Sequence, residues 1–294
     1  MTDEPVFGFL NVDKPLGMTS HDVVARVRRT FGVRKVGHAG TLDPLATGVL
    51  VICIGGATRL SEYVMHATKR YTAQVYFGVT TSTYDAEGEA VQTRDASHLN
   101  RDMITEALNR FVGDIQQVPP IYSAIKVGGR KLYDIARAGE TVELEARSVT
   151  IERIDLLNWQ PPVATIDVTC NAGTYIRSLA YDMGEALGTG AHLASLRRTQ
   201  SGTFLIADAA EPEVIFSDAL WRERLVPAHV ALAGWRHVML DEAQSDIMAH
   251  GGSVAHEDAP EGELALAYAP GFRLLAVVRG ESGLWVPQKV FWRG

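Results

Sequence analysis

Between Gly37 and Ile54 the chain passes from a glycine-rich loop into an unbroken apolar run. The loop, GHAGTLDPLATG, contains three glycines and one proline and shows no sustained hydrophobic period. The run from Val49 to Ile54 is continuously apolar, as strands that are buried on both faces usually are. The sequence therefore predicts an ordered loop that leads directly into a buried strand.

The rest of the hydrophobic pattern predicts a mixture of strands and helices. Short apolar runs or period-two alternation predict further strands over residues 8–12, 71–79 and 164–170. Apolar stripes at helical spacing predict helices over residues 20–31, 103–111 and 176–187. Thr19 or Ser20 caps the first of these helices. From about Pro227 onwards, short apolar runs separated by Gly, Pro, Asp and Glu predict a small β-rich module.

The overall charge of −7 and the pI near 5.7 argue against a nucleic-acid partner, because phosphate binding normally needs a basic surface. The charge is unevenly distributed, however. Between Lys14 and His38 there are six basic residues and a single acid, Asp22. A second basic cluster comprises Lys126, Arg130, Lys131 and Arg137. A charge run is often only a solvated face, but two clusters that flank a candidate site favour RNA.

The chain carries no sign of export or of a membrane span. The longest stretch without a charged residue is the 15 residues 44–58, which is too short to cross a bilayer. The N-terminus lacks a basic region ahead of an apolar one, so we expect a cytoplasmic protein. Cys53 and Cys170 each lie in an apolar run, which predicts buried free thiols rather than a disulfide or a metal site.

Asp43 is the candidate catalyst. It precedes Pro44, which disfavours helix and holds Asp43 extended in the loop, although an Asp-Pro pair can also simply form a turn. Arg177, at the start of a predicted helix, is a fixed cation that could keep a partly buried carboxylate ionised. The sequence has no phosphate-binding P-loop, no G-x-S-x-G elbow and no H-E-x-x-H motif.

Four motifs occur in order along the chain: LNVDKPLGMTSHDVV, GHAGTLDPLATGVL, KRY and GTYIRSL. Over residues 8 to about 200 they resemble the tRNA pseudouridine-55 synthase family, the bacterial enzymes that act on a uridine in the T-loop of tRNA. The resemblance implies an α+β fold, with a mixed, mainly antiparallel sheet in a catalytic domain of pseudouridine-synthase type and a small C-terminal β-rich, PUA-like module. It also implies that uridine 55 is flipped out, cleaved from its ribose and rejoined through C5, with no cofactor or metal.

The resemblance assigns roles to individual residues. Asp43 is the catalytic residue at the ribose, Arg177 pairs with it, and Tyr71 stacks on the flipped uracil. His38 helps to hold the opened T-loop. The further substrate-binding positions are Lys14, Asp85, Tyr175 and Leu196. The candidate RNA-binding positions are Arg34, Lys35, Arg59, Lys126, Arg130 and Lys131.

The same resemblance predicts the domains and the partner. The catalytic domain spans residues 1–227, with a thumb-like insertion at about 120–148, and a PUA-like RNA-binding domain spans residues 228–294. Because the thumb separates stand-alone enzymes from guide-RNA-dependent relatives, the expected partner is the T-arm and T-loop of tRNA. We expect no guide RNA, no membrane association and a monomeric protein.

Two other functions remain open from the sequence. An RNA-binding protein could open and reclose the elbow of tRNA without chemistry. A glycosidase-like enzyme could release the base, but such enzymes usually need a second carboxylate as general acid, and Asp85 is the candidate for it.

Overall fold

The computed structural model describes residues 6–120, 126–127, 130–131, 144–217, 220–256 and 259–292. The strands are β1 (Phe7–Lys14), β2 (Val36–His38), β3 (Ala46–Gly55), β4 (Lys69–Phe77), β5 (Val79–Thr81), β6 (Ala90–Thr93), β7 (Gly113–Gln117), β8 (Lys126–Val127), β9 (Arg130–Lys131), β10 (Arg147–Gln160), β11 (Val163–Cys170), β12 (Ala191–Ser201), β13 (Phe204–Leu205), β14 (Arg236–Met239), β15 (Val254–Ala255), β16 (Leu264–Ala269), β17 (Arg273–Glu281) and β18 (Leu284–Val290). The α-helices are α1 (Ser20–Phe31), α2 (Ser61–Met65), α3 (Arg101–Asn109), α4 (Ile176–Ala186), α5 (Pro212–Ser217), α6 (Ala228–Ala231) and α7 (Glu242–Ala249).

The main sheet has the strand order β1-β3-β12-β4-β11-β10-β7, with β2 on β3 and β13 on β12. Its pairs are antiparallel except for β3 and β12, which run parallel at the centre. The parallel pair requires a close approach at Gly48, where a Cβ would lie 2.2 Å from the carbonyl oxygen of Arg198. Gly48 also has a φ of +99°, so only glycine fits here without strain.

Strand β3 is buried on both faces, which explains its unbroken apolar sequence. Leu50, Ile52 and Ile54 point into the core that contains α1. The alternate residues Val49, Val51 and Cys53 point into a second core shared with the C-terminal sheet. The sequence-based prediction of a buried strand is confirmed, and β3 forms the boundary between the two cores.

Helix α1 shows how local sequence fixes the elements around the central strands. Thr19 is its N-cap and forms a capping box with Asp22: the Thr19 side chain accepts from the Asp22 amide, and the Asp22 carboxylate accepts from the Thr19 amide. The helix ends at Gly32, whose φ of +64° is left-handed. The predicted N-cap and apolar stripe of this helix are confirmed.

The C-terminal sheet has the order β14-β16-β17-β18-β15. Tyr268, Leu274 and Val277 pack in the same core as Phe9 of β1. At the margin of this contact, the Lys289 ammonium donates to the Arg59 carbonyl at 2.7 Å and pairs with the Glu62 carboxylate. The β-rich character predicted for this part of the chain is confirmed.

Two details depart from the sequence-based expectations. The loop predicted over residues 37–48 is shorter, because Gly37 and His38 pair with β3 as part of β2 and because β3 already begins at Ala46. Hydrogen bonding to β3 recruits these residues although they lack hydrophobic alternation. The short helices α6 and α7 lie in the segment for which the sequence predicted a small β-rich module, and they were not predicted individually. No helix among the described residues is both long and apolar enough to cross a membrane.

Candidate active site

Residues 39–45, the aspartate loop, connect β2 to β3 and are fixed on both sides. The Ser20 hydroxyl donates to the Leu42 carbonyl at 2.9 Å and accepts from the Leu42 amide at 2.8 Å. The Pro44 carbonyl accepts from the Gly17 amide at 2.9 Å. The start of α1 and the turn after β1 therefore hold the loop, and Asp43 occupies a defined position.

Arg177 joins two carboxylates at the centre of the site. Its Nη2 lies 3.0 Å from Oδ2 of Asp43, and its Nη1 lies 3.4 Å from Oδ2 of Asp85. The Arg177 and Asp85 side chains are almost inaccessible, whereas the Asp43 side chain is 41% exposed. A fixed guanidinium thus holds the accessible carboxylate of Asp43 next to the buried carboxylate of Asp85.

Arg177 is the second residue of α4, and Tyr175, which immediately precedes the helix, anchors its N-terminal end. The Tyr175 amide donates to Oε1 of Gln117 at 2.7 Å, and Nε2 of Gln117 donates to the Tyr175 carbonyl at 3.0 Å. Gln117 is itself buried at the end of β7. These two hydrogen bonds hold the N-terminal end of α4 against the sheet and so fix the position of the Arg177 main chain.

Burial raises the pKa of Asp43, and the nearby negative charge of Asp85 raises it further. The positive charges of Arg177 and Lys14 oppose the rise. Protein walls displace solvent from most directions around Asp43, although one edge of the carboxylate remains open. The balance of these charges therefore decides whether the carboxylate is ionised at a given pH.

Lys14 is completely buried beneath the aspartate loop. Its ammonium donates to the carbonyls of Pro15 at 2.9 Å, Met18 at 2.5 Å and Pro44 at 3.5 Å. Burial lowers the pKa of Lys14 to about 8. Lys14 was counted in the basic cluster expected to face RNA, and that part of the expectation is wrong, because the side chain supports the loop from inside.

Tyr71 lies on β4 and His38 lies on β2. Tyr71 is 9% exposed, and Arg198 lies directly opposite it on β12. Burial raises the pKa of the Tyr71 hydroxyl, Arg198 opposes the rise, and Asp43 adds to it. Burial lowers the pKa of His38 to about 4, and the nearby charges of His21 and Arg198 act in the same direction. A neutral His38 ring packs edge-on against His21, with the ring centroids 5.3 Å apart.

This geometry agrees with the comparisons to known proteins. The TruB family pseudouridylate synthase N-terminal domain matches residues 28–176, and the tRNA pseudouridylate synthase B C-terminal domain matches residues 177–231. The chain belongs to the TruB family of pseudouridylate synthases. Its reaction is therefore the isomerisation of uridine to pseudouridine.

Curated relatives in this family extend over most of the chain. A tRNA pseudouridine synthase B from Symbiobacterium thermophilum is 51% identical over 84% of this chain and 82% of its own length. One from Burkholderia pseudomallei is 43% identical over 96% of both chains. Among solved structures, the crystal structure of a Cbf5-Nop10-Gar1 complex covers 97% of this chain and 85% of its own, with a TM-score of 0.75 and 27% identity. An H/ACA RNP bound to a substrate RNA containing 2′-deoxyuridine gives a TM-score of 0.74 at 25% identity, covering 97% of this chain and 85% of its own.

The TruB fold brings most of the predicted site residues together. Asp43, Arg177, Asp85 and Lys14 form one electrostatic group, which reaches Tyr71. Leu196 lies on β12 opposite Ala46 and Ala73, at the end of the aspartate loop. The roles assigned to these side chains remain predictions.

The predicted RNA-binding residues have different positions. Arg34 and Lys35 are exposed in the turn before β2. Arg59 is also exposed, but its guanidinium donates to the Val290 carbonyl and lies over the Phe291 ring. Lys126, Arg130 and Lys131 belong to the two-stranded pair β8–β9, and their side chains lie outside the described residues, as does most of the thumb-like insertion.

Two residues next to this site were not identified from the sequence. Tyr84 has a φ of +63°, an uncommon conformation for a non-glycine residue, immediately before Asp85, and its ring stacks on Tyr181 with centroids 4.1 Å apart. Arg198 is 1% exposed and binds three main-chain carbonyls. A sequence signal existed for Arg198, because it follows Leu196 by two residues and therefore shares its face of the strand.

Proposed function

We propose that this chain isomerises uridine 55 in the T-loop of tRNA, acting as a monomeric cytoplasmic enzyme with Asp43 as the catalytic carboxylate. The observation that carries the proposal is the ion pair of 3.0 Å between the accessible Asp43 and the buried Arg177. A carboxylate held in this way can be ionised and aimed before substrate arrives, which is what a reaction at the ribose requires.

The choice of tRNA rests on the relatives and on the local charge. Relatives that match 82% or more of their own length are named tRNA pseudouridine synthase B. Arg34 and Lys35 offer exposed positive charge just before β2, even though the net charge of the chain is −7. The proposal includes no guide RNA, since the names of these relatives mention tRNA alone.

The chemistry begins with extrusion of the target base, because a stacked uracil cannot reach Asp43. The ring of Tyr71 replaces part of the lost stacking. The C1′–N1 bond then breaks, and the uracil retains the bonding electrons. Asp43 acts at the ribose, by attack on C1′ or by removal of a proton from C2′, and both routes need its ionised form. Arg177 favours that form.

The released uracil turns within the site and bonds to C1′ through C5; on the first route this displaces Asp43 from C1′, and on the second route Asp43 returns the proton to C2′. The proton at C5 leaves to solvent, and N1 gains a proton, so the product is an isomer of the substrate. A site that holds the free base must exclude bulk water during the turn. The buried surroundings of Arg177 and Asp85 are suited to this, because the cations and carboxylates there are already paired.

The rival glycosidase reaction needs a second carboxylate that can protonate the leaving base. Asp85 is a poor candidate, since its side chain is 4% exposed. Its Oδ1 already accepts from the Thr83 hydroxyl and from the Glu87 amide at 3.1 Å. The proposal therefore predicts that the base is rejoined rather than released.

The test uses tRNA labelled with tritium at uracil C5 and purified protein without guide RNA. Tritium release approaching one equivalent per tRNA is expected, with none from tRNA carrying cytidine at position 55 and none with Asp43→Asn. Wild-type turnover by Asp43→Asn would refute the catalytic assignment. Binding of the tRNA without tritium release would indicate an RNA-binding protein. Free uracil among the products would indicate the glycosidase reaction.

A further inference from the structure

Arg198 is a buried cation that contacts the aspartate loop from below. Its Nη2 donates to the Gly40 carbonyl at 3.0 Å, and its Nη1 is 3.4 Å from the Thr41 carbonyl. Its Nε donates to the Val49 carbonyl at 2.7 Å, on the strand that follows the loop. One guanidinium therefore binds the main chain on both sides of Asp43.

The same side chain reaches the aromatic residue of the site. Arg198 and Tyr71 are directly opposite each other in the pairing of β12 with β4, so their side chains share one face of the sheet. Burial raises the pKa of the Tyr71 hydroxyl, and the positive charge of Arg198 opposes that rise. After Arg198 the register of β12 against β4 shifts by one residue, as at a bulge that redirects a side chain.

Burying the Arg198 guanidinium costs more desolvation free energy than a purely structural side chain would need to. Among the described residues no carboxylate accepts from Arg198, and its charge lowers the pKa of Lys14, His38 and Lys69. A well-packed apolar side chain would fill the same volume without the desolvation cost of a buried cation. The planar fork of arginine, however, can bind several carbonyls in a fixed arrangement, which neither an apolar side chain nor lysine can do.

We propose that Arg198 is a positioning residue that fixes the aspartate loop and Tyr71 relative to each other. It does not touch the substrate in this role. It sets the separation between the carboxylate at the ribose and the ring beneath the base, and the inference rests on the roles proposed above for Asp43 and Tyr71. A displacement of about 1 Å at such a centre can reduce the rate by about 100-fold.

The first test compares Arg198→Lys with Lys69→Met in full-length protein. Lys69 is a matched control, because it is 4% exposed and donates to the carbonyls of Met65 and Ala67, away from the aspartate loop. Both variants should lower the melting temperature. Arg198→Lys should reduce the single-turnover rate constant at saturating enzyme by about 100-fold while tRNA affinity stays within about threefold. Lys69→Met should keep both within about threefold.

The second test is a double-mutant cycle with Tyr71→Phe, which removes only the hydroxyl of the ring that lies opposite Arg198 in the pairing of β4 with β12. The combined variant should lose much less than the product of the two single losses, because both changes act on the same pair of side chains. Tyr71→Phe alone should lower the rate without lowering the melting temperature, and it remains testable if Arg198→Lys does not fold.

Three results would overturn the positioning role: equal rate losses in Arg198→Lys and Lys69→Met, a change in tRNA affinity alone, or independent effects of Arg198→Lys and Tyr71→Phe. Asp43→Asn is measured in parallel to separate this inference from the proposed function. If Asp43→Asn is inactive and Arg198→Lys is fully active, only the positioning role of Arg198 is refuted. An active Asp43→Asn would refute the catalytic assignment itself.

Discussion

The main sheet and the C-terminal sheet bury different kinds of side chain. In and around the main sheet the buried charged residues are Lys14, Lys69, Asp85, Asp167, Arg177 and Arg198. In the described residues from 228 onwards, the buried polar side chains reduce to that of Ser245. The core there is apolar and includes Leu275, Val278 and Trp285.

This difference indicates which half of the molecule has side chains held in a fixed geometry for the reaction and which half mainly supplies stability. Buried charge is expensive, and it persists where a fixed geometry or a shifted pKa is needed. Arg177 binds two carboxylates, and Arg198 binds two carbonyls of the aspartate loop and one of β3. Changes to the charged groups around the aspartate loop should therefore affect the rate more than stability, and changes in the C-terminal sheet should affect stability alone.

The largest effect is expected from Arg177→Lys. A lysine keeps the positive charge but cannot span Asp43 and Asp85 with a planar fork, so one carboxylate loses its partner. We expect the single-turnover rate constant to fall by about 10³-fold, as when one partner of a buried charged pair is removed. Quench-flow measurement of tritium release at saturating enzyme provides the rate.

The control is Arg70→Lys, which alters another arginine–aspartate pair in the main sheet. Arg70 lies 2.7 Å from Asp167, and its side chain is 51% exposed. The rate should stay within about twofold, because a pair of this exposure contributes little. Equal losses in the two variants would contradict the special role given to Arg177.

The pairing of Asp43 with Arg177 could be anticipated in part from the sequence. Asp43 precedes a proline in a loop without hydrophobic period, and Arg177 follows a glycine-containing turn at a predicted helix start. These are local signals. Their contact spans more than a hundred residues of chain, and no local pattern determines such a contact.

Arg198 and the C-terminal helices show why the rest was missed. An arginine in a strand is normally a solvent-facing residue, and only the parallel pairing of β12 with β3 places Arg198 beneath the aspartate loop. Helix α7 is short, yet Asp241 and Gln244 form a capping box that the sequence displays. That signal was available, whereas the strand order of the main sheet was not.

The second effect is expected from Leu275→Ala, in the C-terminal sheet. Leu275 is 1% exposed in the apolar core there, so truncation should destabilise the protein by about 3 kcal/mol. Chemical denaturation measures the loss in the free energy of unfolding, and it gives the folded fraction by which the rate is corrected. The rate per folded molecule should equal that of the unmodified protein. A reduced rate per folded molecule would show that the C-terminal sheet also affects the reaction, which would contradict the assignment of stability alone to that sheet.

The third effect concerns pH. The negative charge of Asp85 raises the pKa of Asp43, so Asp85→Asn should lower that pKa. The proposed mechanism needs Asp43 in its ionised form, so activity should be lost as pH falls through its pKa. The acid limb of the rate profile should therefore move to lower pH in Asp85→Asn. An acid limb that moves to higher pH, or stays in place, would mean that Asp85 does not act on Asp43 through its charge.

The smallest effect compares two capping boxes, one in each half of the molecule. Thr19→Ala and Asp241→Ala each remove an N-cap side chain, and each should cost about 1 kcal/mol of stability. Helix α1 begins with Ser20, which binds both main-chain groups of Leu42 in the aspartate loop. Fraying of that helix end should therefore loosen the loop and lower the rate by a fewfold, whereas fraying of α7 should leave the rate unchanged. Equal rates in the two variants would show that the aspartate loop is held independently of the start of α1.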